Sequence, residues 1–318
     1  MSPSHKIPVG ISACLCGDEV RFDGSHTRDR YLMEVLGPYV RWVKTCPEEG
    51  AGLGTPRESL RLVRTPNGVR MVGNRSTTDV TERIDGYSDA RLEELRGERL
   101  RGYVLKKSSP SCGMERVRIY DDKGVPSRDG VGLFARALIA RYPNLPVEEE
   151  GRLRDPRLRE NFVTRIFAYD RWINLRGGDP RPRDIVAFHT QHKMLVLAHS
   201  PEHYARMGPL VAQAGSLPMP ELLDRYEDEL MGALARIASP GRHANTLEHL
   251  AGYLKRDLEV DDKRELHDAI RAFREGQLPL VAPLMLLYHH FRHLRDDWVD
   301  AQVYLQPYPA ELALRSSI

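Results

Sequence analysis

The chain has 318 residues, a length that favours two domains over a single core. Its 41% hydrophobic and 29% charged content is ordinary for globular protein, and no apolar run approaches the roughly 18 residues of a membrane-spanning helix. The opening MSPSHKIPVGISAC lacks a basic stretch followed by a long apolar one, so no secretory leader is expected and the cytoplasm is the expected compartment.

The net charge of +2 hides an imbalance of 39 arginines against 8 lysines. A GC-rich genome accounts for it equally well as phosphate recognition, for which the guanidinium fork is suited. Only position along the chain separates the two readings.

The first half reads as α/β. KIPVGISA is a short apolar run that leads to Cys14, and YVRWVKT is another that leads to Cys46. LRLVRTPNGVRMVG has two β-like arms around Pro66-Asn67-Gly68, a hairpin signal. SDARLEELRGERL has helical composition and spacing. RGYVLKK is a third strand-like run, followed by SSPSCG and Cys112. RVRIYDDKGVPS predicts a strand and turn, and GVGLFARALIARYP a helix stopped by Pro143.

PNLPVEEEGRLRDP (143–156), rich in proline and charge, reads as a linker. It sets the expected boundary between residues 1–147 and 148–318. Beyond it the character is helical, starting with Phe162, Ile166 and Tyr169 at helical spacing in RLRENFVTRIFAYDRWINL. Six further helical stretches follow, divided by breakers such as Gly-Gly-Asp-Pro and Ser-Pro. The expected fold is an open, largely parallel, Rossmann-like α/β domain followed by an all-α domain.

Three of the four cysteines follow predicted strands. Loops at the carboxyl ends of parallel strands line the ligand crevice of an open sheet, so Cys14, Cys46 and Cys112 meet there if their strands are neighbours. Three thiolates suit a zinc ion completed by Cys16 or a histidine, or an iron–sulfur cluster with one iron left open. Buried, unligated cysteines fit the spacing equally well, because no C-x-x-C pair is present.

SACLCGDEVRFDG, CPEEGAGLGTPRES and KKSSPSCG, in that order, resemble the three signature blocks of the thiouracil desulfidase family, over about residues 7–145. Phe22 stands where that family usually has Tyr, Ala51 where it has Gly, and Cys16 fills a variable position. The resemblance implies a 4Fe–4S cluster on Cys14, Cys46 and Cys112, with one open iron for a thiocarbonyl sulfur. It implies Glu48 as general acid/base and Ser109 as the donor to that base or to the leaving sulfur. Ser108 and Ser111 are rivals to Ser109, and Ser111 equally suits closing the turn. Cys16, Asp23, Arg57 and Lys106 complete the cluster-proximal candidates, Asp23 to order the Cys14 loop and Arg57 to neutralise charge.

In the helical half, nine arginines crowd residues 152–183. Arg152, Arg154, Arg157, Arg159, Arg165 and Arg171, with His189, His192 and Lys193, are the RNA-contact candidates. The spacing of His189, His192, His199 and His203 also permits a metal, without a carboxylate framework to favour it. YHHFRH (288–293) repeats the histidine-rich pattern. HANTLEHLAGYLKRDL, FREGQLPLVAPLMLLYHHFRH and QVYLQPYPAEL resemble a helical domain fused behind desulfidases, as in tRNA 4-thiouridine desulfidases. That resemblance implies thiolated tRNA as substrate and partner, with no membrane and with oligomeric state open. Desulfuration of free thiouracil, or a cluster-based redox sensor or RNA-binding regulator, are the alternatives. QPYPAEL equally suits a packing clamp.

Overall fold

The computed structural model describes residues 6–294 and 297–318. Residues 1–5 and the side chain of His293, on which parts of the leader and RNA readings fall, lie outside the described residues. One compact unit ends at Arg154 and a second spans Asp155–Ile318.

The first unit holds two four-stranded sheets. In chain order its elements are β1 (Ile7–Ser12), β2 (Val40–Thr45), α1 (Pro47–Gly50), β3 (Leu60–Thr65), β4 (Gly68–Gly73), α2 (Thr81–Glu98), β5 (Gly102–Leu105), β6 (Val117–Tyr120), β7 (Pro126–Gly130), α3 (Leu133–Arg141) and β8 (Val147–Glu149). One sheet has the order β2-β1-β5-β8 and is parallel at every pairing. Its inner strands, IPVGIS and GYVL, are buried at every position, whereas β2 leaves Arg41 and Lys44 exposed. Strands covered on both faces must read as continuous apolar runs, and edge strands need not. Gly10 is required in β1, because a Cβ there would lie 2.1 Å from the Tyr103 ring of β5.

The second sheet, β4-β3-β6-β7, is mixed. The hairpin read from Pro66-Asn67-Gly68 is present as antiparallel β3–β4, with Gly68 at φ 107°. Its inner face packs Leu62, Met71 and Ile119 against Ile84 of α2 and Leu133 of α3. The stretch expected to be a linker contains β8, whose three residues pair in parallel with β5, and the first unit continues beyond it to Arg154. The boundary between the units, Arg154/Asp155, falls within that stretch, and proline and charge do not exclude β8 because an edge strand needs few apolar positions.

The second unit is helical: α4 (Pro156–Gly177), α5 (Pro182–His199), α6 (Pro201–Ala212), α7 (Met219–Leu234), α8 (Pro240–Ala251), α9 (Val260–Arg274) and α10 (Val281–Leu294). Several breakers prove to be helix starts. Asp155, Ser200 and Ser239 each precede a proline at the first helical position, and each side chain accepts backbone N–H groups of the first turn. The core includes Trp172, whose ring stacks on Tyr226 with centroids 4.8 Å apart. Among the described residues no helix is long and apolar enough to cross a membrane.

Candidate active site

Because β1 lies between β2 and β5, the loops after these three neighbouring parallel strands open at one edge. Each loop turns sharply and brings one cysteine with it. After β1, the 3-10 turn Ala13–Cys16 ends on Gly17 at φ 103°. After β2, Cys46 is the residue before α1 and its thiol faces the Val20 carbonyl at 3.8 Å. After β5, the Ser109 hydroxyl accepts the N–H groups of Ser111 and Cys112 at 3.2 and 3.1 Å. Gly113 closes that turn, since a Cβ would meet the Ser109 carbonyl at 2.8 Å.

Cys14, Cys46 and Cys112 line one cavity of about 380 Å³, within the size range of small-molecule sites. Burial pushes all three thiols up, Cys46 to about 11. Opposing this, the Thr27 hydroxyl and the positive charges of Lys106 and Arg21 lower Cys14, and Ser12 hydrogen-bonds Cys112. Cys16 does not line the cavity; it is half-buried near Lys44 and Asp18, and burial raises its thiol to about 11.

Glu48 lines the same cavity and is firmly held. Arg57 donates to its Oε2 from Nε at 3.0 Å and Nη2 at 2.7 Å. The two side chains are only 14% and 7% exposed, so the pair is weakly screened. Arg57 is anchored in turn on the carbonyls of Val20 (3.0 Å) and Gly54 (2.7 Å). The other carboxylate oxygen accepts Ser111 Oγ at 2.8 Å. The hydrogen bond expected of Ser109 is thus made by Ser111, while Ser109 lines the cavity and braces the turn. The neighbouring Glu49 is exposed.

Of the other candidates, Lys106 lines the cavity and pairs with Glu150 at 2.5 Å. Ser108 stands exposed at the rim, with φ 57°. Asp23 is outside the cavity and binds Ser25 through its N–H at 3.1 Å and Oγ at 2.6 Å, which shapes the loop beside it. That loop places Phe22, 40% exposed, and Arg21 on the cavity wall. Phe22 and Ser12 were visible only as members of a motif block; nothing in their type marked them as lining residues.

The RNA candidates divide. Arg154 and Arg157 are exposed, whereas Arg152 is held by Glu148 and Glu115, each at 2.6 Å. Arg159 and Arg165 are partly buried on α4. Arg171 donates to the Pro307 carbonyl at 2.6 Å, and burial lowers it to about 10. His192 is 1% exposed, stacked on Phe188, and lowered to about 3 by burial; it is a core residue, turned inward by the face of α5 on which it falls. His189 faces the Tyr226 hydroxyl at 3.3 Å, and Lys193 lies over the Trp298 ring at 4.8 Å.

Among the described residues no three His, Cys, Asp or Glu side chains form a single-ion site. Three soft thiols spread around a cavity instead match the donor set of a multi-iron cluster, which spans more space than one ion.

Residues 9–150 match the family model described as 2-thiouracil desulfurase, and residues 193–309 match one described as a protein of unknown function, DUF1722. The chain is 28% identical over 162 residues to the uncharacterized protein YbgA of Escherichia coli (strain K12), covering 51% of this chain and 96% of that protein. It is 31% identical over 108 residues to the uncharacterized protein YbbK of Bacillus subtilis (strain 168), covering 32% of this chain and 71% of that one. Among solved structures it is similar to the [4Fe-4S]-dependent thiouracil desulfidase TudS, at 33% identity and a TM-score of 0.39, over 47% of this chain and 95% of that chain.

Proposed function

The chain belongs to the 2-thiouracil desulfurase family through its N-terminal unit, and on that premise we propose that it is an iron–sulfur desulfidase. The reaction is replacement of a thiocarbonyl sulfur by oxygen: thiopyrimidine and water give the pyrimidine, hydrosulfide and a proton that leaves to solvent, with no net electron transfer. One observation carries this reading, the meeting of Cys14, Cys46, Cys112 and Glu48 on a single cavity wall.

Cys14, Cys46 and Cys112 would hold a 4Fe–4S cluster, giving up thiol protons that burial otherwise retains. When bound, the cluster supplies a soft Lewis acid that takes the sulfur and polarises the C=S bond. Glu48 takes a proton from the attacking water, and its paired Arg57 and Ser111 keep the carboxylate aimed at the cavity. The same carboxyl group then returns that proton to the departing sulfur. Lys106 and Arg21 offset the negative charge that three thiolates bring together.

For the substrate we infer 4-thiouridine in tRNA. A free base needs no second unit of the size of Asp155–Ile318, and Arg157 stands exposed at its start, three residues after the exposed Arg154 that ends the first unit. Free thiouracil is the second reading, favoured by a cavity that would accept a single base.

Anaerobically reconstituted protein should be incubated with thiolated tRNA, free 4-thiouridine and 2-thiouracil, following loss of thiocarbonyl absorbance. Turnover on tRNA is the expected result. Turnover on the free compounds alone would leave the chemistry and remove the tRNA reading. No turnover on any of the three would overturn both.

A further inference from the structure

Glu148, Glu149 and Glu150 lie outside the three cysteine blocks, in the stretch that composition assigns to a linker. All three are buried. Two of them reach back across the sheet to the segment that carries Cys112. Glu150 Oε1 accepts Lys106 Nζ at 2.5 Å, and its Oε2 accepts the Lys107 N–H at 2.7 Å. Glu149 Oε1 accepts the Met114 N–H at 2.7 Å. The segment is therefore gripped where it leaves β5 and again just past Cys112. From the opposite side, Ser12 Oγ of β1 accepts the Lys106 N–H at 3.0 Å.

The β5–β8 ladder already pairs Tyr103 with Val147 and Leu105 with Glu149, so edge closure alone needs neither carboxylate. Neither one lines the cavity, while Lys106, Lys107, Ser108, Ser109 and Cys112 all do. We propose that Glu150, with Glu149 behind it, is a positioning residue of this site. It holds the Lys106 ammonium at the cavity wall and fixes the span that presents Ser109 and Cys112. Outer partners of metal ligands act in this way, by restricting where the ligand can stand. The inference rests on the desulfidase reading for its role in turnover; the loop geometry is tested without it.

The test uses Glu150→Gln, Glu150→Ala and Lys106→Met in the full chain. In the metal-free protein, amide hydrogen exchange over 105–114 should be roughly tenfold faster in Glu150→Ala, with Glu150→Gln intermediate because its amide oxygen still accepts from Lys107. After reconstitution, iron retention against a chelator should fall roughly 10- to 100-fold in Glu150→Gln, more than any drop in the melting temperature of the metal-free chain accounts for. Lys106→Met should match it, and the double variant should be no worse than either single one. Wild-type exchange and wild-type iron retention in Glu150→Gln would overturn the proposal. So would a loss of iron that merely tracks a lowered melting temperature. A wild-type protein inactive on every thiopyrimidine would remove the desulfidase reading while the exchange and iron measurements still decide the role of Glu150.

Discussion

Each unit buries a carboxylate against an arginine, and the two pairs serve different ends. In the first unit Glu48 and Arg57 stand on the wall of a cavity of about 380 Å³, among three thiols. In the second, Glu160 pairs with Arg315 and lines a crevice of only about 20 Å³. Glu160 Oε1 there accepts Tyr308 OH at 3.1 Å and Thr164 Oγ1 at 3.2 Å, and Arg315 donates to the Tyr304 carbonyl at 2.6 Å. That network ties the segment around QPYPAEL to α4, so the motif works as a packing clamp. A buried ion pair therefore does not mark a reactive site. What marks one is open volume beside the pair and a second reactive group facing it.

The comparison breaks most completely at the thiols. Serine at position 14, 46 or 112 should abolish both iron binding and turnover, whereas Cys16→Ser should keep both, read from iron content and anaerobic assay. Next, Glu48→Gln should lower kcat by roughly 10² to 10⁴ with cluster absorbance retained, since the amide keeps the carboxylate's shape but carries no proton for transfer. A redox sensor would be indifferent to that change. In the helical unit, Glu160→Ala should cost about 3–5 kcal/mol in urea unfolding, because Arg315 is left buried without its carboxylate. Turnover of a free thiobase should survive it, which is the sharpest contrast with Glu48.

Acid gives the most graded effect. His189 and His192 are lowered by burial to about 4 and 3, and burial also lowers His199 and His243. The unfolded chain takes up protons below about pH 6.5 while these folded side chains stay neutral. Stability of the helical unit should therefore be flat above that pH and decline as pH falls from about 6.5 toward 4. Far-ultraviolet circular dichroism across that range tests it; stability rising toward acid would show that these rings are not buried neutral.

Much of the first unit was legible because parallel strands and cysteine loops leave local marks. Apolar runs reveal β1 and β5, and the ordered blocks contain Cys14, Cys46, Cys112 and Glu48, which line one cavity. What local reading cannot supply is direction. Ser109 and Ser111 are the same residue type two positions apart, and only the turn geometry decides which one reaches Glu48. β8 was hidden because its pairing energy lies in backbone bonds to β5, not in apolar side chains. His192 and Arg171 carry the residue types of an RNA surface, yet the helix phase points them inward. Periodicity says that one face is buried, but mixed faces such as that of α5 blur which one.

The order of strands has a consequence for how the protein is made. β1 is synthesised first and becomes an inner strand, enclosed only after both β2 and β5 exist. Cys14 therefore leaves the ribosome long before Cys112, and the bond from Lys106 to Ser12 closes a gap of 94 residues. Such a long loop forms late in folding. If Glu149 and Glu150 set the Cys112 turn, a nascent chain has no finished pocket until those residues emerge. Loading of the proposed cluster would then be a late step timed by synthesis, and the unshielded thiols of the growing chain are where oxidation would compete with it.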